Sequence, residues 1–445
     1  MPSVGSASLI VMGDAGHESD VSQESDVSQE SDASQESDAR REVVSCGEAA
    51  SQAAGGLAAA SDAVIDDALR RMATLLTEQA PAILDANAAD MARGAEQGLG
   101  RGLLDRLRLD SERLAATARQ LELLAKMPFP PNGSALDPLP GGLRLEERRI
   151  PIGVVGANFE ARPAVTIDVA SQLLKSRNAG VLRTGAAALA SAAALVDQVI
   201  SPALDGAGIS AGALQLVRTA DHAAAVELVR QPALIRLVIL RGSGESTRAL
   251  AAEAARAGVR TLAHADGGAV LYLDRAAQPG QASALITESL DRLGVCNRLN
   301  LLLICSASWD EMLPVAMAAL ARAQVTASLP PHDHPLGYEW ALQAGREATV
   351  TIAAVPDAAA AAQTANAQTS GLAAAIVTSD AVAAREFLGS YTGTGAFWNA
   401  SPRLLDGFKL RGVPETGINV DHVPGPRGPV TFADLCLRQY VITPV

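Results

Sequence analysis

No run of eighteen or more consecutive apolar residues occurs in this chain of 445 residues, and no basic segment leads into an apolar one near its start. A membrane span and a secretory leader are therefore not expected, and the protein is placed in the cytosol. Cysteine is scarce: Cys46, Cys296, Cys305 and Cys436 stand far apart, with no CxxC pair and no metal-ligand spacing. That pattern argues against a zinc site and a disulfide framework, so no metal is expected and Cys296 stays a free thiol. Aromatic residues make up only 3% of the chain, and its 48% hydrophobic content is chiefly Ala, Leu and Val. Such a composition suits an α/β protein with a large core, and the length allows two or three domains. Positive charge is also lacking, the formal net charge being −13. Residues 1–41 carry nine acids against Arg40 and Arg41, which leaves about −6 on the body, an ordinary surface. Nucleic acid is not an expected partner.

Much of that acid lies in a repeat. Residues 19–38 read Ser-Asp-Val-Ser-Gln-Glu twice, then Ser-Asp-Ala-Ser-Gln-Glu and Ser-Asp. So little apolar surface cannot offset the entropy of ordering, and residues 1–44 are expected to be a disordered acidic tail. From there to residue 126 the pattern is helical, with apolar residues three and four apart, as in Ile65, Leu69, Met72 and Leu76. A Pro/Gly-rich break at 128–140 precedes an alternating strand at 143–150, suited to an edge or an arm.

Short apolar strands then alternate with helices from residue 152 to 240, which calls for a mostly parallel sheet covered on both faces. Ligands of such sheets sit at the carboxyl ends of the strands. One of those ends carries Arg241-Gly242-Ser243-Gly244-Glu245-Ser246, directly before a helix. Its glycines let a ligand approach the backbone, and the free N–H groups of the helix start favour an anion; a plain turn is an equal reading. It is not a Walker loop, because no Gly-Lys-Ser/Thr closes it. His332, Asp333 and His334 look like a metal pair, but Pro330, Pro331 and Pro335 around them favour a solvated loop.

Gly294-Val295-Cys296-Asn297-Arg298 runs straight into the apolar stretch 299–304. A thiol set just before a buried strand is held rigidly, as a nucleophile must be; core filler is the competing reading. Taken with four other segments, the cysteine gives a pattern. Arg149-Ile150-Pro151-Ile152-Gly153-Val154-Val155-Gly156 leads to Phe159-Glu160-Ala161-Arg162-Pro163 and Val165-Thr166-Ile167-Asp168. Leu174-Lys175-Ser176-Arg177-Asn178-Ala179 is followed by Leu182-Arg183-Thr184-Gly185. Asn399-Ala400-Ser401-Pro402-Arg403 precedes Asp406-Gly407 and Glu415-Thr416-Gly417-Ile418. In content and order these segments resemble the gamma-glutamyl phosphate reductase family, the proline-pathway branch of the aldehyde dehydrogenase superfamily, over nearly all of residues 45–445.

The resemblance implies an aldehyde dehydrogenase-like α/β fold with two parallel-sheet domains and a β oligomerisation arm. Residues 45–128 and 151–270 would bind the cofactor, 271–423 would carry the catalytic part, and 129–150 with 424–445 would form the arm. It implies NADPH-dependent reduction of L-glutamate 5-phosphate to the 5-semialdehyde and phosphate, a step of proline biosynthesis, through a thioester on Cys296. Asn297 is the expected oxyanion donor. Glu160, Arg162, Asn399, Ser401 and Arg403 are the expected substrate contacts, the arginines because a planar fork suits phosphate and carboxylate. Arg183, Gly242, Ser243, Ser246 and Glu415 are the expected cofactor contacts. The partner is a small molecule, and a homo-oligomer is expected because exposed alternating strands need pairing along their edge.

The chain departs from the family's Glu-Thr-Gly-Val-Gly-Asn-Cys-His stretch, where it has Ala263-His264-Ala265-Asp266-Gly267-Gly268-Ala269-Val270. The missing glutamate activates water in aldehyde oxidation, a step that reduction does not use, and His264 is a candidate substitute base. A diverged paralogue acting on another acyl phosphate and a non-catalytic dehydrogenase-like binding protein are the alternative readings.

Overall fold

A computed structural model describes residues 21–129, 134–135, 139–264, 266–343, 345–421, 423 and 425–444. Two parallel sheets dominate it. The first orders its strands β5 (Leu214–Leu216), β4 (Ala179–Thr184), β3 (Val154–Phe159), β6 (Leu237–Arg241) and β7 (Arg260–His264). The second orders β10 (Thr326–Ser328), β11 (Thr349–Val355), β9 (Leu299–Cys305), β8 (Ala269–Leu273), β12 (Ala373–Val377) and β13 (Gly395–Trp398). All pairings within both are parallel. Every residue of β3, β4, β8, β9 and β12 is buried. Strands covered on both faces in this way read as near-continuous apolar runs.

The arm is antiparallel: β2 (Leu143–Pro151) lies between the short β1 (Ser134–Ala135) and β16 (Cys436–Pro444). A small antiparallel pair, β14 (Gly417–Asn419) and β15 (Gly428–Val430), leads the chain from the second sheet back to the first. There Val430, Phe432 and Leu435 enter the core of the first lobe. Residues 428–435, expected in the arm, are thus part of the first lobe's packing, and the arm proper starts at Cys436. The expected division after residue 270 also moves, because it would cut β8.

The helical N-terminal region contains α1 (Val21–Ala59), α2 (Asp62–Glu78), α3 (Ala80–Glu96), α4 (Arg101–Leu107) and α5 (Ser111–Lys126). Residues 1–20 of the expected tail lie outside the described residues. The rest of that expectation is corrected: residues 21–44 belong to α1, and Ala39, Val43, Cys46 and Ala50 are buried in the first core. Their spacing of four, three and four places them on one helical face, a stripe that the acidic repeats just before it obscured. The helical segment Ala186–Gly206 is long and apolar enough to cross a membrane by length and composition, at mean hydropathy 1.5. Half of it is buried, with Leu195, Val196, Val199 and Ile200 packed into the first core.

Candidate active site

Cys296 lies in the turn 294–298, between the helix Pro279–Glu288 and β9. Three straps hold that turn. Gly268 N–H donates to the Cys296 carbonyl at 2.7 Å, tying it to the start of β8. The Asn297 amide donates to the carbonyls of Arg403, at 3.3 Å, and Leu405, at 2.9 Å. Buried Arg298 donates to the carbonyls of Glu347 and Thr349 beside β11. Arg106 of α4 adds a fourth contact, from Nε to the Gly294 carbonyl at 2.7 Å. Gly267 fits against this turn because a Cβ there would come within 3.2 Å of the Cys296 Cα.

The sulfur faces a cleft of about 400 Å³. Six cations line it, Arg106, Arg162, Arg241, Arg292, Arg403 and Lys409, against the acids Asp168, Asp406 and Glu415. The cations are not equivalent. Arg292 is paired with Asp105 at 2.8 Å, and Arg403 with Asp291 at 2.6 Å. Arg106 and Arg241 each spend one donor on a carbonyl, those of Gly294 and Thr416. Among the described residues, the side chains of Arg162 and Lys409 make no hydrogen bond or ion pair. Burial, then the neighbouring Arg106 and Arg241, lowers the Arg162 guanidinium to about 9, so it stays charged at neutral pH. Burial pushes Glu415 up to about 8 and Asp168 up to about 6, each partly offset by Arg241.

Next to the cleft lies a smaller cavity of about 210 Å³, which shares Arg106, Arg162 and Arg241 with it. Glu160, Gly242, Ser243 and His264 complete its polar wall. The Glu160 carboxylate accepts from Ser243 N–H at 3.1 Å, at the start of the helix Gly244–Ala257. Neither ring nitrogen of buried His264 makes a well-formed hydrogen bond, although the Ile418 backbone lies close enough to be felt. Burial, then Arg162 and Arg241, lowers this imidazole to about 4 and keeps it neutral.

Of the residues singled out in the sequence, Cys296, Asn297, Arg162, Arg403 and Glu415 line the cysteine cleft, and Glu160, Gly242 and Ser243 line the inner cavity. Ser246, in the first turn of the helix Gly244–Ala257, lines neither of them. Several of these residues have other work. The Asn297 side chain is spent on Arg403 and Leu405, so only its backbone N–H faces the oxyanion role. Arg403 gives three of its five N–H donors to Asp291 and Asn297 and is charge-paired with Asp291, so it has less to offer a substrate anion than Arg162. Asn399, with φ of +50°, clasps the Thr378 backbone from both sides, and Ser401 is buried against Ser289. Neither reaches the cleft. Arg183 is 4% exposed and donates to Asn158, Ala220 and Asp221, which removes it as a grip for a ribose phosphate.

Arg106, Arg241, Arg292, Lys409 and Asp168 are site residues that the sequence argument passed over. Arg241 and Asp168 stood inside quoted segments, at a strand end and near a helix start. Arg106 had no signal of its own, because α4 reaches the cleft only through tertiary packing. His334 meets Ser328 and the Pro335 carbonyl, and His332 meets the Ile352 carbonyl through Nε2 while its Nδ1 lacks a partner; no metal-binding group of His, Cys, Asp and Glu forms among the described residues.

Two α/β lobes, a cysteine turn at a cleft lined from both, and an antiparallel arm define an aldehyde dehydrogenase-like protein. An acetylating aldehyde dehydrogenase from Geobacillus thermoglucosidasius shares this fold at TM-score 0.70 and 16% identity, over 92% of this chain and 98% of that one. The chain belongs to the gamma-glutamyl phosphate reductase family. It is 34% identical to the gamma-glutamyl phosphate reductase of Moorella thermoacetica, over 90% of this chain and 97% of the relative. The crystal structure of the Thermotoga maritima gamma-glutamyl phosphate reductase superposes at TM-score 0.79 and 26% identity, over 90% of this chain and 98% of that one. No family model matches the sequence.

Proposed function

We propose that this protein reduces L-glutamate 5-phosphate to L-glutamate 5-semialdehyde and phosphate, with NADPH, as a step of proline biosynthesis. The observation that carries the reading is Cys296 at the wall of a cleft whose cations, Arg162 and Lys409 above all, keep uncommitted donors. A substrate with anionic groups at both ends suits such a cleft. The Cys296 thiolate forms a bond to the acyl carbon; the carbon–oxygen bond to phosphate breaks, and its electron pair leaves with the phosphate, giving a thioester. Asn297 N–H is the donor aimed at the oxygen of that carbon. Glu415 lines the same cleft, and its carboxylate form, which gains population as pH rises toward about 8, is suited to take the thiol proton.

A reduced nicotinamide, when bound, supplies the hydride that the thioester needs. The start of the helix Gly244–Ala257 fits the anionic part of such a cofactor, since an anion, the Glu160 carboxylate, already rests on Ser243 N–H. Gly242, Ser243 and Ser246 would hold the pyrophosphate there. NADPH rests on the family resemblance alone, because Arg183 faces elsewhere. The test is an assay with glutamate semialdehyde, phosphate and either NADP or NAD. Turnover that is lost in Cys296→Ala supports the reading, and equal rates from the two proteins would remove the covalent route.

A further inference from the structure

Arg106, Arg162 and Arg241 each line both the cysteine cleft and the inner cavity, so they stand at the neck between the two. They arrive from separate places: α4, the loop after β3 and the end of β6. None of the three makes an ion pair among the described residues, in contrast to Arg292 and Arg403 at the outer wall. The carboxylate of the inner cavity, Glu160, is turned onto Ser243 N–H. Three cations in one half-buried place repel one another; Glu339 beside Arg162 and His264, and Asp168 and Glu415 beside Arg241, offset this in part, and a further anion would join the three. His264 stands behind them, 8% exposed, with ring nitrogens that lack a well-formed hydrogen bond. A neutral imidazole there can donate one N–H to an incoming oxygen. A carboxylate has two oxygens to offer, whereas a phosphate can engage three guanidinium forks and the imidazole together.

We propose that Arg106, Arg162, Arg241 and His264 form a receiving site for phosphate at this neck, which takes the leaving group as the Cys296 sulfur bonds to the acyl carbon. The assignment to a leaving group rests on the acyl-phosphate reading given above. As the carbon–oxygen bond breaks, its electron pair stays on the phosphate oxygen, and the guanidinium groups meet the charge that develops there. In the opposite direction the same site holds inorganic phosphate for attack on the thioester, so Arg106 and His264 set the KM for phosphate.

The experiment is calorimetric titration of inorganic phosphate into the full-length protein without substrate, repeated with saturating NADP. One site is expected, retained when NADP is bound, and weakened about tenfold or more in Arg106→Met and several-fold in His264→Leu. Arg106→Lys recovers part of the loss. In the aldehyde-oxidising direction, the KM for phosphate rises in step while the KM for NADP moves by less than about twofold. Phosphate binding that is unchanged in both Arg106→Met and His264→Leu overturns the site. Displacement by NADP also overturns it, by giving the neck to the cofactor's own phosphates. Phosphate binding with this dependence, in a protein that turns over no acyl phosphate, keeps the site and removes the reaction; Cys296-dependent turnover without the binding does the reverse.

Discussion

Asn297 and Arg403 are locked to each other. The Asn297 amide donates to the Arg403 carbonyl at 3.3 Å, and the Arg403 guanidinium donates back to Asn297 Oδ1. Because Asn297 follows Cys296 directly, this lock sets where the sulfur points. Asn297→Ala leaves a buried guanidinium donor and two carbonyls without their partner, at a cost of about 2 kcal/mol. The expected result is a lower urea midpoint together with a fall in kcat that exceeds any rise in KM. A variant with wild-type midpoint and kcat would show that the lock does not position the thiol.

The four cysteines should differ sharply in reactivity. Burial pushes Cys46 and Cys436 up to about 11, which leaves on the order of one part in ten thousand as thiolate at pH 7. Cys305 is 2% exposed and donates to the Pro356 carbonyl at 3.4 Å. Iodoacetamide at neutral pH should therefore alkylate Cys296 first, by peptide mass spectrometry, with activity lost in the same proportion. Faster modification of any other cysteine contradicts this account.

The sheet strands were readable because parallel strands buried on both faces appear as near-continuous apolar runs, as β8 and β12 do, and as β9 does but for Asn300. Cys296 was readable because it precedes such a run. What could not be read was the division of labour around it. Asn399, Ser401 and Arg403 lie in a segment that does come back to the cysteine turn, but as internal straps. A polar side chain that ties two loops and one that awaits a ligand look alike in a motif; only the count of donors already spent separates them. Arg106 was hidden for the opposite reason, standing in no motif and on a helix that meets the cleft only through tertiary packing. The start of α1 was misjudged because a strongly acidic repeat ends only one residue before the buried Ala39.

That last point can be tested directly. Val43 is 0% exposed and packs in the first core, so Val43→Asp puts an unpaired carboxylate among apolar side chains. A loss of about 3 kcal/mol or more is expected in urea denaturation. A variant as stable as the wild type would return residue 43 to the acidic tail.

Assembly can be tested at the arm. β16 lies at the edge of its sheet and exposes Leu437 at 46%, Tyr440 at 55% and Ile442 at 56%. An open strand edge carrying apolar side chains invites a second chain. Light scattering at micromolar concentration should give a dimer or larger, reduced to a smaller species by Tyr440→Lys with Ile442→Lys. A wild-type monomer counts against assembly through this edge.

Glu415 should leave a mark on stability as well as on catalysis. Burial raises its pKa from the ordinary 4.5 to about 8, so between those values the folded chain binds a proton that the unfolded chain has released. Stability contributed by the neutral form is complete at low pH and is lost as pH rises through that window, at up to about 1.4 kcal/mol for each pH unit. Asp168, raised to about 6, adds the same sign over a lower range. Glu415→Gln removes the titrating group and keeps an acceptor for Gly407 N–H, which Glu415 Oε2 meets at 2.6 Å. Urea denaturation at pH 6 and pH 8 should therefore show the wild type losing more stability than Glu415→Gln, by about 1 to 3 kcal/mol. Parallel pH dependence in the two proteins would mean that Glu415 is ionised throughout and that burial does not hold a proton on it.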